Sequence, residues 1–397
     1  MADGSIPGNW DLWGPLAERY RTPRPRRALA LDGGGIRGLM TLQILQRLEA
    51  LLREAHRSGP EFRLSDFFDV IAGTSTGAII AAALARGMSV AELVTFYRDF
   101  GRDAFTKRSL FARWKSLYDN GPLEQKLKGV FGAATTLQCE HLKCLLLVVT
   151  RNATTDSAWP ILSNPFAKYN DPARADCNLK IPLWQIVRAS TAAPVFFPPE
   201  VIQWAPGDAS ESFVFVDGGT TAYNNPAFLV ARMVTEPAYR VGWRKGEDQL
   251  LVISLGTGSA PVIGSVASDP EENLAKSAAQ TLSGLMTQAA FDQDINCRTV
   301  GRCTYGRPLD SEVGDLVPRN SDGSRIPLTT NLGRAFLYAR YNAELTTQGL
   351  TELGLPHVDP AKASKLDSID CMEDLERIGQ AVAREIRLED FGSFVPS

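Results

Sequence analysis

Two short apolar runs early in the sequence each end in a glycine-rich turn that leads into a helical pattern. Residues 28–31 run into the turn at 32–38, and residues 67–72 run into the turn at 73–77. Apolar residues recur at three- and four-residue steps after the first turn, and residues 78–85 are apolar throughout. Two strand–turn–helix units in succession predict an α/β protein with a mostly parallel sheet and helices on its faces. Ligands bind such sheets at the carboxyl ends of the strands, so the segments that follow them are where chemistry is expected.

The composition is that of an ordinary globular protein. Of the 397 residues, 44% are hydrophobic and 22% are charged, which excludes intrinsic disorder. The 42 basic side chains nearly balance the 45 acidic ones, so no overall positive field attracts nucleic acid, and any membrane contact must be local. The longest apolar runs, 78–85 and 144–149, are far shorter than the roughly 20 residues of a membrane-spanning helix. Because the first 20 residues lack the pattern of a signal peptide, we expect a cytoplasmic protein.

Cysteine and histidine are too few and too scattered to predict a metal site. The six cysteines form no C-x-x-C pair, and only three histidines are present to complete a ligand set. We therefore predict no metal, and cysteines that are reduced and mostly buried. The scarcity also matters for catalysis, because histidine is the usual proton shuttle near neutral pH.

The second turn carries the pattern G-x-S-x-G, with its glycines at Gly73 and Gly77 and its serine at Ser75. In a nucleophile elbow of this pattern, a strained strand-to-helix turn holds the serine exposed, and the glycines avoid clashes with both elements. The same pentapeptide also occurs in plain turns. Here an apolar run precedes it and a buried helix is predicted after it, which is the context that a nucleophilic Ser75 requires.

The first turn, residues 32–38 with the sequence DGGGIRG, also joins a predicted strand to a predicted helix. Its backbone N–H groups and the helix N-terminus favour negative charge. Beside a nucleophile such a turn would act as an oxyanion hole. Arg37 could then add charge at the rim of that hole or bind a substrate phosphate.

The same turn also fits G-x-G-x-x-G through Gly33, Gly35 and Gly38, which is the pattern of a nucleotide-binding module. That pattern requires an acidic residue about 20 positions further on, at the end of a second strand. This chain has the basic segment 53–63 there, which does not resemble a strand. The nucleotide alternative is therefore disfavoured and remains open.

An aspartate that follows a later predicted strand is the candidate base. Asp217 comes directly after the apolar residues 213–216 and is followed by Gly218 and Gly219. An aspartate at a strand end is also common in ordinary turns. To accept the proton of a serine, Asp217 would need burial to raise its pKa above the ordinary value of about 3.9.

A histidine is the alternative base, because the order Ser75, Asp217, His357 can be written as a catalytic triad. His357 lies in a proline-bracketed loop with no predicted strand before it. The sequence therefore leaves a His-assisted esterase as the second hypothesis.

The three motifs, in this order, resemble those of the patatin-like phospholipase family. The resemblance covers about residues 27–260 and includes the segments 188–198 and 224–226. It implies a three-layer α/β/α fold with a central, mostly parallel sheet. It also implies hydrolysis of acyl esters of membrane phospholipids by a Ser–Asp dyad, without calcium or another cofactor.

The resemblance assigns a role to each motif. Ser75 would be the nucleophile that forms an acyl-enzyme, and Asp217 the general base. The backbone amides of Gly33, Gly34 and Gly35 would hold the oxyanion, with Arg37 beside them. The remaining motif residues are Asp32, Gly38, Gly73, Gly77, Gly218 and Gly219.

The motifs and the changes in pattern divide the chain into three parts. We expect a lead-in segment over 1–26, a catalytic domain over 27–262 and a largely helical C-terminal region over 263–397. The last part would form a lid, complete the fold or receive a regulator. Some bacterial members of the family are switched on by cyclic nucleotides, so the resemblance admits a small-molecule activator of that class.

The basic segment 102–118, which contains interleaved aromatic residues, is the candidate membrane contact. In a helix, Phe111 and Trp114 would lie on one apolar face beside basic side chains, as in helices that lie on a membrane surface. The same pattern equally suits a helix that packs this face on the core. We expect transient, peripheral contact with bilayer phospholipids.

Overall fold

The computed structural model describes residues 9–104, 120–204, 212–259 and 274–396. In these ranges the centre of the protein is a nine-stranded mixed sheet of order β5-β6-β3-β2-β1-β7-β9-β8, with β4 paired to β3. The strands are β1 (Arg26–Leu31), β2 (Val70–Thr74), β3 (Leu145–Asn152), β4 (Ser157–Leu162), β5 (Glu200–Gln203), β6 (Ser212–Asp217), β7 (Leu250–Leu255), β8 (Arg302–Tyr305) and β9 (Leu337–Tyr341).

Helices cover both sides of this sheet, which confirms the predicted α/β/α fold. Helix α4 packs on β2 and β3, α8 packs on β1 and β7, and α2 packs against α5 and α12. The α-helices are α1 (Ala17–Arg21), α2 (Gly38–Ala55), α3 (Leu64–Phe67), α4 (Thr76–Ala85), α5 (Val90–Ala104), α6 (Asn120–Phe131), α7 (Leu183–Ser190), α8 (Ala227–Thr235), α9 (Leu274–Val300), α10 (Thr347–Glu352), α11 (Pro360–Ala363) and α12 (Met372–Ala383). None of the described helices is both long and apolar enough to cross a membrane.

The centre of the sheet is parallel and buried. Strand β1 pairs in parallel with β2 and β7, and β2 pairs in parallel with β3. Every residue of β2 and β7 is buried. Strands covered on both faces have nearly continuous apolar sequences, which is why segments such as 28–31 and 249–255 predict strands.

The second predicted strand begins later than its sequence suggests. Residues 67–72 are predicted to be extended, whereas β2 begins at Val70. The buried carboxylate of Asp69 accepts hydrogen bonds from the backbone N–H of Arg27 and from the guanidinium of Arg19. A buried charge needs such partners, and the chain bends at Asp69 to reach them before the strand starts.

The C-terminal region is helical, as expected, and it also adds two strands to the central sheet. Helices α9 to α12 lie in this region. Strand β9 pairs in parallel with β7 on one edge and with β8 on the other. The sheet therefore continues beyond the segment assigned to the catalytic domain, while the boundary at residue 262 stays a prediction.

Candidate active site

The carboxyl ends of β2 and β6 meet head to head on one edge of β3. Thr74, the last residue of β2, pairs with Val149, and Asp217, the last residue of β6, pairs with Thr150. Strand β4 occupies the opposite edge of β3 there, so the parallel β2 and the antiparallel β6 share the remaining edge. This arrangement brings Ser75 and Asp217 together, although 142 positions separate them in the sequence.

Ser75 has a backbone conformation that residues other than glycine rarely adopt. Its φ is 54° and its ψ is −122°, between the end of β2 and the start of α4. A Cβ on Gly73 would lie 2.1 Å from the carbonyl oxygen of Gly77, and a Cβ on Gly77 would lie 2.3 Å from the carbonyl oxygen of Leu31. Both glycines are therefore needed for close backbone approach, and the turn has the geometry of a nucleophile elbow.

The side chains of Ser75 and Asp217 form a hydrogen-bonded pair. The Ser75 hydroxyl donates to Oδ2 of Asp217 at 2.6 Å, and the N–H of Gly219 donates to Oδ1 at 2.7 Å. A Cβ on Gly218 would lie 2.2 Å from the carbonyl oxygen of Val149, so glycine is required there for the aspartate to reach the edge of β3. In nucleophilic catalysis, the base lies within hydrogen-bond distance of the nucleophile, and a third group orients the base. The carboxylate of Asp217, held by Gly219 and bonded to Ser75, has this geometry.

The environment of Asp217 makes it a stronger base than an ordinary aspartate. Burial raises its pKa to about 6. The hydrogen bonds from Ser75 and Gly219, and then the charge of Arg188, limit this rise. The carboxylate is therefore still ionised at neutral pH, with a pKa closer to the working range of a general base.

The end of helix α7 holds the backbone of both residues. The hydroxyl of Ser190 accepts a hydrogen bond of 2.9 Å from the N–H of Ser75 and donates one of 2.6 Å to the carbonyl of Val149. Two residues further on, the carbonyl of Ala192 accepts a hydrogen bond of 3.0 Å from the N–H of Asp217. A single segment thus fixes Ser75 and Asp217 relative to each other.

The glycine turn after β1 lies against Ser75. A Cβ on Gly33 would lie 3.1 Å from Cβ of Ser75. The N–H of Gly33 donates to the carbonyl of Asn224 at 3.1 Å, whereas the N–H groups of Gly34 and Gly35 have no acceptor among the residues that the structure describes. The sequence-based expectation of three oxyanion donors is therefore corrected at Gly33, because its N–H is already bonded. The unpaired donors are those of Gly34 and Gly35.

Both charged side chains of this turn point into the protein. Arg37 donates from Nε to the carbonyl of Gly34 and from Nη1 to the carbonyl of Gly258, both at 3.3 Å. Burial lowers the pKa of Arg37 to about 10, and the charge of Asp32 partly offsets this, so the guanidinium is protonated at neutral pH. Arg37 is therefore buried and links the glycine turn to the segment after β7, and it does not lie at the rim of the turn as the sequence suggested.

An apolar cavity opens beside the pair. Ser75, Asp217 and Gly35 contribute to its polar end. The walls come from separate elements and are apolar, and include Ile79, Leu123, Phe196, Phe197, Met286 and Leu366. Such a cavity accommodates an apolar group while a few polar atoms fix its reacting end.

The sequence matches a known protein family. A family model described as patatin-like phospholipase matches residues 29–231, about half of the 397-residue chain. The chain belongs to the patatin-like phospholipase family.

Individual relatives match this patatin-like chain over part of their length. A cGAMP-activated phospholipase of Escherichia coli (strain TW11681) is 31% identical over 212 residues, which cover 52% of this chain and 55% of the relative. Patatin-2-Kuras 1 of Solanum tuberosum is 31% identical over 245 residues, which cover 58% of this chain and 62% of the relative. The chain thus spans between about half and three fifths of the length of these two proteins. The crystal structure of VipD from Legionella pneumophila aligns with a TM-score of 0.35 and 15% identity, over 89% of this chain and 67% of that chain.

The histidines of this patatin-like protein lie away from the Ser75–Asp217 pair. His357 is exposed in the loop before α11. The ring of His56 packs against Phe67, and Nδ1 of His141 accepts a hydrogen bond from the N–H of Thr136. No histidine lines the cavity in the described part of the chain. The geometry therefore supports Asp217, and not His357, as the partner of Ser75.

Two further predictions concern membrane contact and metal binding. Phe111 and Trp114, the candidate membrane contacts, lie outside the described residues. Within the described ranges, no group of three or more His, Cys, Asp or Glu side chains is placed to hold a metal ion. All six cysteines are buried and none forms a disulfide, which confirms the predicted burial.

Two residues outside the sequence motifs donate side-chain hydrogen bonds to the glycines of the turn. The Thr257 hydroxyl donates to the carbonyl of Gly33 at 2.7 Å, and the Tyr97 hydroxyl donates to the carbonyl of Gly35 at 2.9 Å. Thr257 lies two residues after β7, so its place near the carboxyl end of a central strand is a signal in the sequence. Tyr97 lies within α5, where the sequence carries no comparable signal.

Proposed function

We propose that this protein is a lipid acyl hydrolase of the phospholipase A type, which cleaves acyl esters of membrane phospholipids. The observation that carries the proposal is the 2.6 Å hydrogen bond between Ser75 and Asp217 at the polar end of an apolar cavity. Family membership supports the same class of reaction. An apolar cavity that ends at a serine suits a substrate with an acyl chain and an ester at its end.

In the proposed first half-reaction, Oγ of Ser75 attacks the carbonyl carbon of the ester while Asp217 accepts the hydroxyl proton. The carbonyl electron pair moves onto oxygen, and this oxyanion accepts hydrogen bonds from the N–H groups of Gly34 and Gly35. When the intermediate collapses, the bond to the glycerol oxygen breaks and Asp217 returns its proton to that oxygen. The lysophospholipid leaves as an alcohol, and the acyl group stays on Ser75.

The second half-reaction repeats this chemistry with water as the nucleophile. Asp217 accepts a proton from water as the water oxygen attacks the acyl carbonyl. The same two N–H groups hold the second oxyanion. Collapse breaks the bond to Oγ, Asp217 returns the proton to Ser75, and a fatty acid is released. The base, the nucleophile and the oxyanion donors all belong to the chain, so we propose that hydrolysis requires no calcium; equal rates in EDTA and in calcium are the expected result.

The decisive experiment replaces each member of the dyad. Ser75→Ala and Asp217→Asn should each lower fatty-acid release from phosphatidylcholine and phosphatidylglycerol vesicles by about 1,000-fold or more. Ser65→Ala is the matched control, because Ser65 is also a buried serine but lies outside the cavity. His357→Ala should keep full activity; loss of activity in that variant would favour the His-assisted esterase.

We further propose that the enzyme works in the cytoplasm and reaches the bilayer by peripheral contact through Phe111 and Trp114. The basic and aromatic pattern of their segment supports this proposal. The variant with both residues changed to Ala should lose binding to anionic vesicles while it keeps hydrolysis of a short, soluble ester. Unchanged vesicle binding would show that these two side chains do not contact the membrane.

For regulation we propose a cyclic-nucleotide activator. The support is that relatives from Escherichia coli and Vibrio cholerae are named cGAMP-activated phospholipases. Fatty-acid release measured with and without added cGAMP tests this directly. A rate that does not change at saturating cGAMP would reject this activator for the protein.

A further inference from the structure

In the glycine turn, the carbonyl oxygens of Gly33, Gly34 and Gly35 all accept hydrogen bonds from side chains. The carbonyl of Gly33 accepts from Thr257 and that of Gly35 from Tyr97, while Arg37 binds the carbonyl of Gly34. These donors come from the segment after β7, from α5 and from the end of the turn itself. A side chain therefore helps to hold each peptide plane of the turn, and the backbone N–H groups of Arg37 and Gly38 also bind the carbonyls of Gly34 and Gly35.

Within one trans peptide, the N–H and the C=O point in opposite directions. The carbonyl of Gly33 and the N–H of Gly34 belong to the same peptide, so the 2.7 Å hydrogen bond from Thr257 turns that N–H away from Thr257. The N–H of Gly35 is fixed in the same way by the bond between Arg37 and the carbonyl of Gly34. These are the two N–H groups without an acceptor in the described part of the chain.

The next peptide is fixed at both of its polar atoms. The carbonyl of Gly35 accepts a hydrogen bond from Tyr97, and the N–H of Ile36 donates one of 2.9 Å to the carbonyl of Leu366. Gly35 itself has a φ of 60°, which glycine adopts without strain. Tyr97 thus holds the far side of the turn at the residue that carries the second unpaired N–H.

The contact between Thr257 and the turn is very close. A Cβ on Gly34 would lie 2.2 Å from Oγ1 of Thr257 and 2.5 Å from its Cβ. Thr257 is 3% exposed. The segment around it is held by Asn342 after β9, whose Oδ1 accepts a hydrogen bond of 2.8 Å from the N–H of Gly258. Thr257 therefore has little freedom to move away from the turn.

We propose that Thr257 and Tyr97 are positioning residues: Thr257 aims the N–H of Gly34 at the carbonyl oxygen of the substrate, and Tyr97 holds Gly35, whose N–H is the second donor. This inference rests on the proposed function, because it assigns how the oxyanion hole of that reaction is oriented. Neither side chain needs to touch the oxyanion. Their loss should weaken binding of the transition state and leave binding of the ground state nearly unchanged.

Thr257→Val removes the hydroxyl and keeps the shape of the side chain. We expect kcat on a short, soluble ester to fall by about 10- to 100-fold with KM changed less than twofold, which is less than the loss from deleting an oxyanion donor outright. Tyr97→Phe should lower kcat by a smaller factor. Thr257→Ser keeps the hydroxyl and should recover most of the activity.

A second readout separates positioning from a merely structural role. An aliphatic trifluoromethyl ketone forms a hemiketal oxyanion on a catalytic serine, so its affinity should fall by the same factor as kcat in Thr257→Val. Thr304→Val is the matched control, because Oγ1 of Thr304 also donates to a backbone carbonyl in a buried place, that of Tyr338 at 3.1 Å. This control should keep both kcat and ketone affinity.

The outcomes distinguish this inference from the proposed function. If Thr257→Val folds by circular dichroism and keeps full kcat, or loses kcat without losing ketone affinity, the positioning role is wrong. If Thr257→Val does not fold, Thr257→Ala is measured by the same two criteria. A Ser75→Ala protein that still hydrolyses the ester would instead overturn the proposed function itself.

Discussion

Arg340 on β9 donates hydrogen bonds of 2.6 and 3.2 Å to the two carboxylate oxygens of Asp32, across 308 positions of the sequence. Both side chains are buried. Burial alone would lower the pKa of Arg340, but the carboxylates of Asp32 and Asp294 outweigh it and raise that pKa, so the guanidinium stays charged. The first residue of the DGGG motif thus serves as an anchor for the C-terminal strands, while the next residue, Gly33, lies against Ser75.

Removal of Arg340 tests how strongly this anchor holds the fold. Arg340→Met leaves the carboxylate of Asp32 buried without its partner, and we expect the free energy of unfolding to fall by about 3–5 kcal/mol. The double variant Asp32→Asn/Arg340→Met should recover part of this loss, because it no longer buries an unpaired charge. Urea denaturation of the wild type, both single variants and the double variant gives the coupling energy. If Arg340→Met lowers the free energy of unfolding by less than about 1 kcal/mol, the ion pair with Asp32 does not anchor the C-terminal strands.

The pH dependence of activity should report the state of Asp217. Its pKa is raised to about 6, and only the ionised carboxylate can accept a proton. We expect kcat/KM on a soluble ester to rise with pH and to reach half of its plateau near pH 6. The residual activity of Asp217→Asn should not show this rise with pH. A midpoint near pH 4 would mean that the aspartate is not perturbed as the structure indicates.

The raised pKa of Asp217 also predicts that its contribution to folding stability falls as pH rises, whereas activity increases. Because the folded-state pKa of Asp217 lies above the unfolded value, the folded protein binds more protons between about pH 4 and pH 6. Protonation of Asp217 therefore stabilises the folded protein. This contribution is fully present below about pH 4 and is lost as pH rises through about 6. Asp217→Asn does not titrate, so its stability relative to wild type should increase over this window by up to about 3 kcal/mol. Thermal unfolding at several pH values measures the difference, and a constant difference would contradict the raised pKa.

The sequence predicts those parts of the site that short, local motifs encode. Ser75 lies between an apolar strand and an apolar helix, with glycines two positions away on either side. Asp217 ends an apolar strand and precedes two glycines. Because each signal spans fewer than about ten residues, it can be read without knowing which elements become neighbours.

The parts that the sequence does not predict depend on contacts between distant segments. Arg340 lies beside Asp32, and Thr257 lies beside Gly33, only because β7 joins the sheet next to β1 and β9 joins it next to β7. The occupied N–H of Gly33 depends in the same way on Asn224. No local sequence pattern identifies the partner of any of these residues. The sequence therefore predicts the motifs, and the structure shows which residues hold them in place.

Gly77 tests the close approach of α4 to β1. A Cβ at this position would lie 2.3 Å from the carbonyl oxygen of Leu31, which is backbone and cannot rotate away. Gly77→Ala should therefore destabilise the protein by about 1–3 kcal/mol and lower activity, since a shift of α4 moves Ser75. Gly129→Ala in α6 is the control, because nothing lies within 4 Å of its added Cβ. That variant should be more stable by about 0.5–1 kcal/mol and fully active; equal stability of the two variants would contradict the steric argument.

Ser190 tests whether the strained turn of the nucleophile needs support from α7. Its hydroxyl links the N–H of Ser75 to the carbonyl of Val149, and Ser190→Ala leaves both without this partner. We expect the free energy of unfolding to fall by about 1–2 kcal/mol. We also expect a loss of about 10-fold in kcat, because the positive φ of Ser75 is less firmly held and the nucleophile departs from its productive geometry.

The matched control for Ser190 is Ser163, a buried serine whose hydroxyl accepts a hydrogen bond of 2.9 Å from the N–H of Leu146 near the other end of β3. Ser163→Ala should lose a similar amount of stability and keep kcat within about twofold, since it breaks the same kind of hydrogen bond away from the dyad. Ser190→Thr keeps a hydroxyl and should recover part of the lost kcat. Equal kcat losses in Ser190→Ala and Ser163→Ala would mean that general destabilisation, and not support of Ser75, explains the effect.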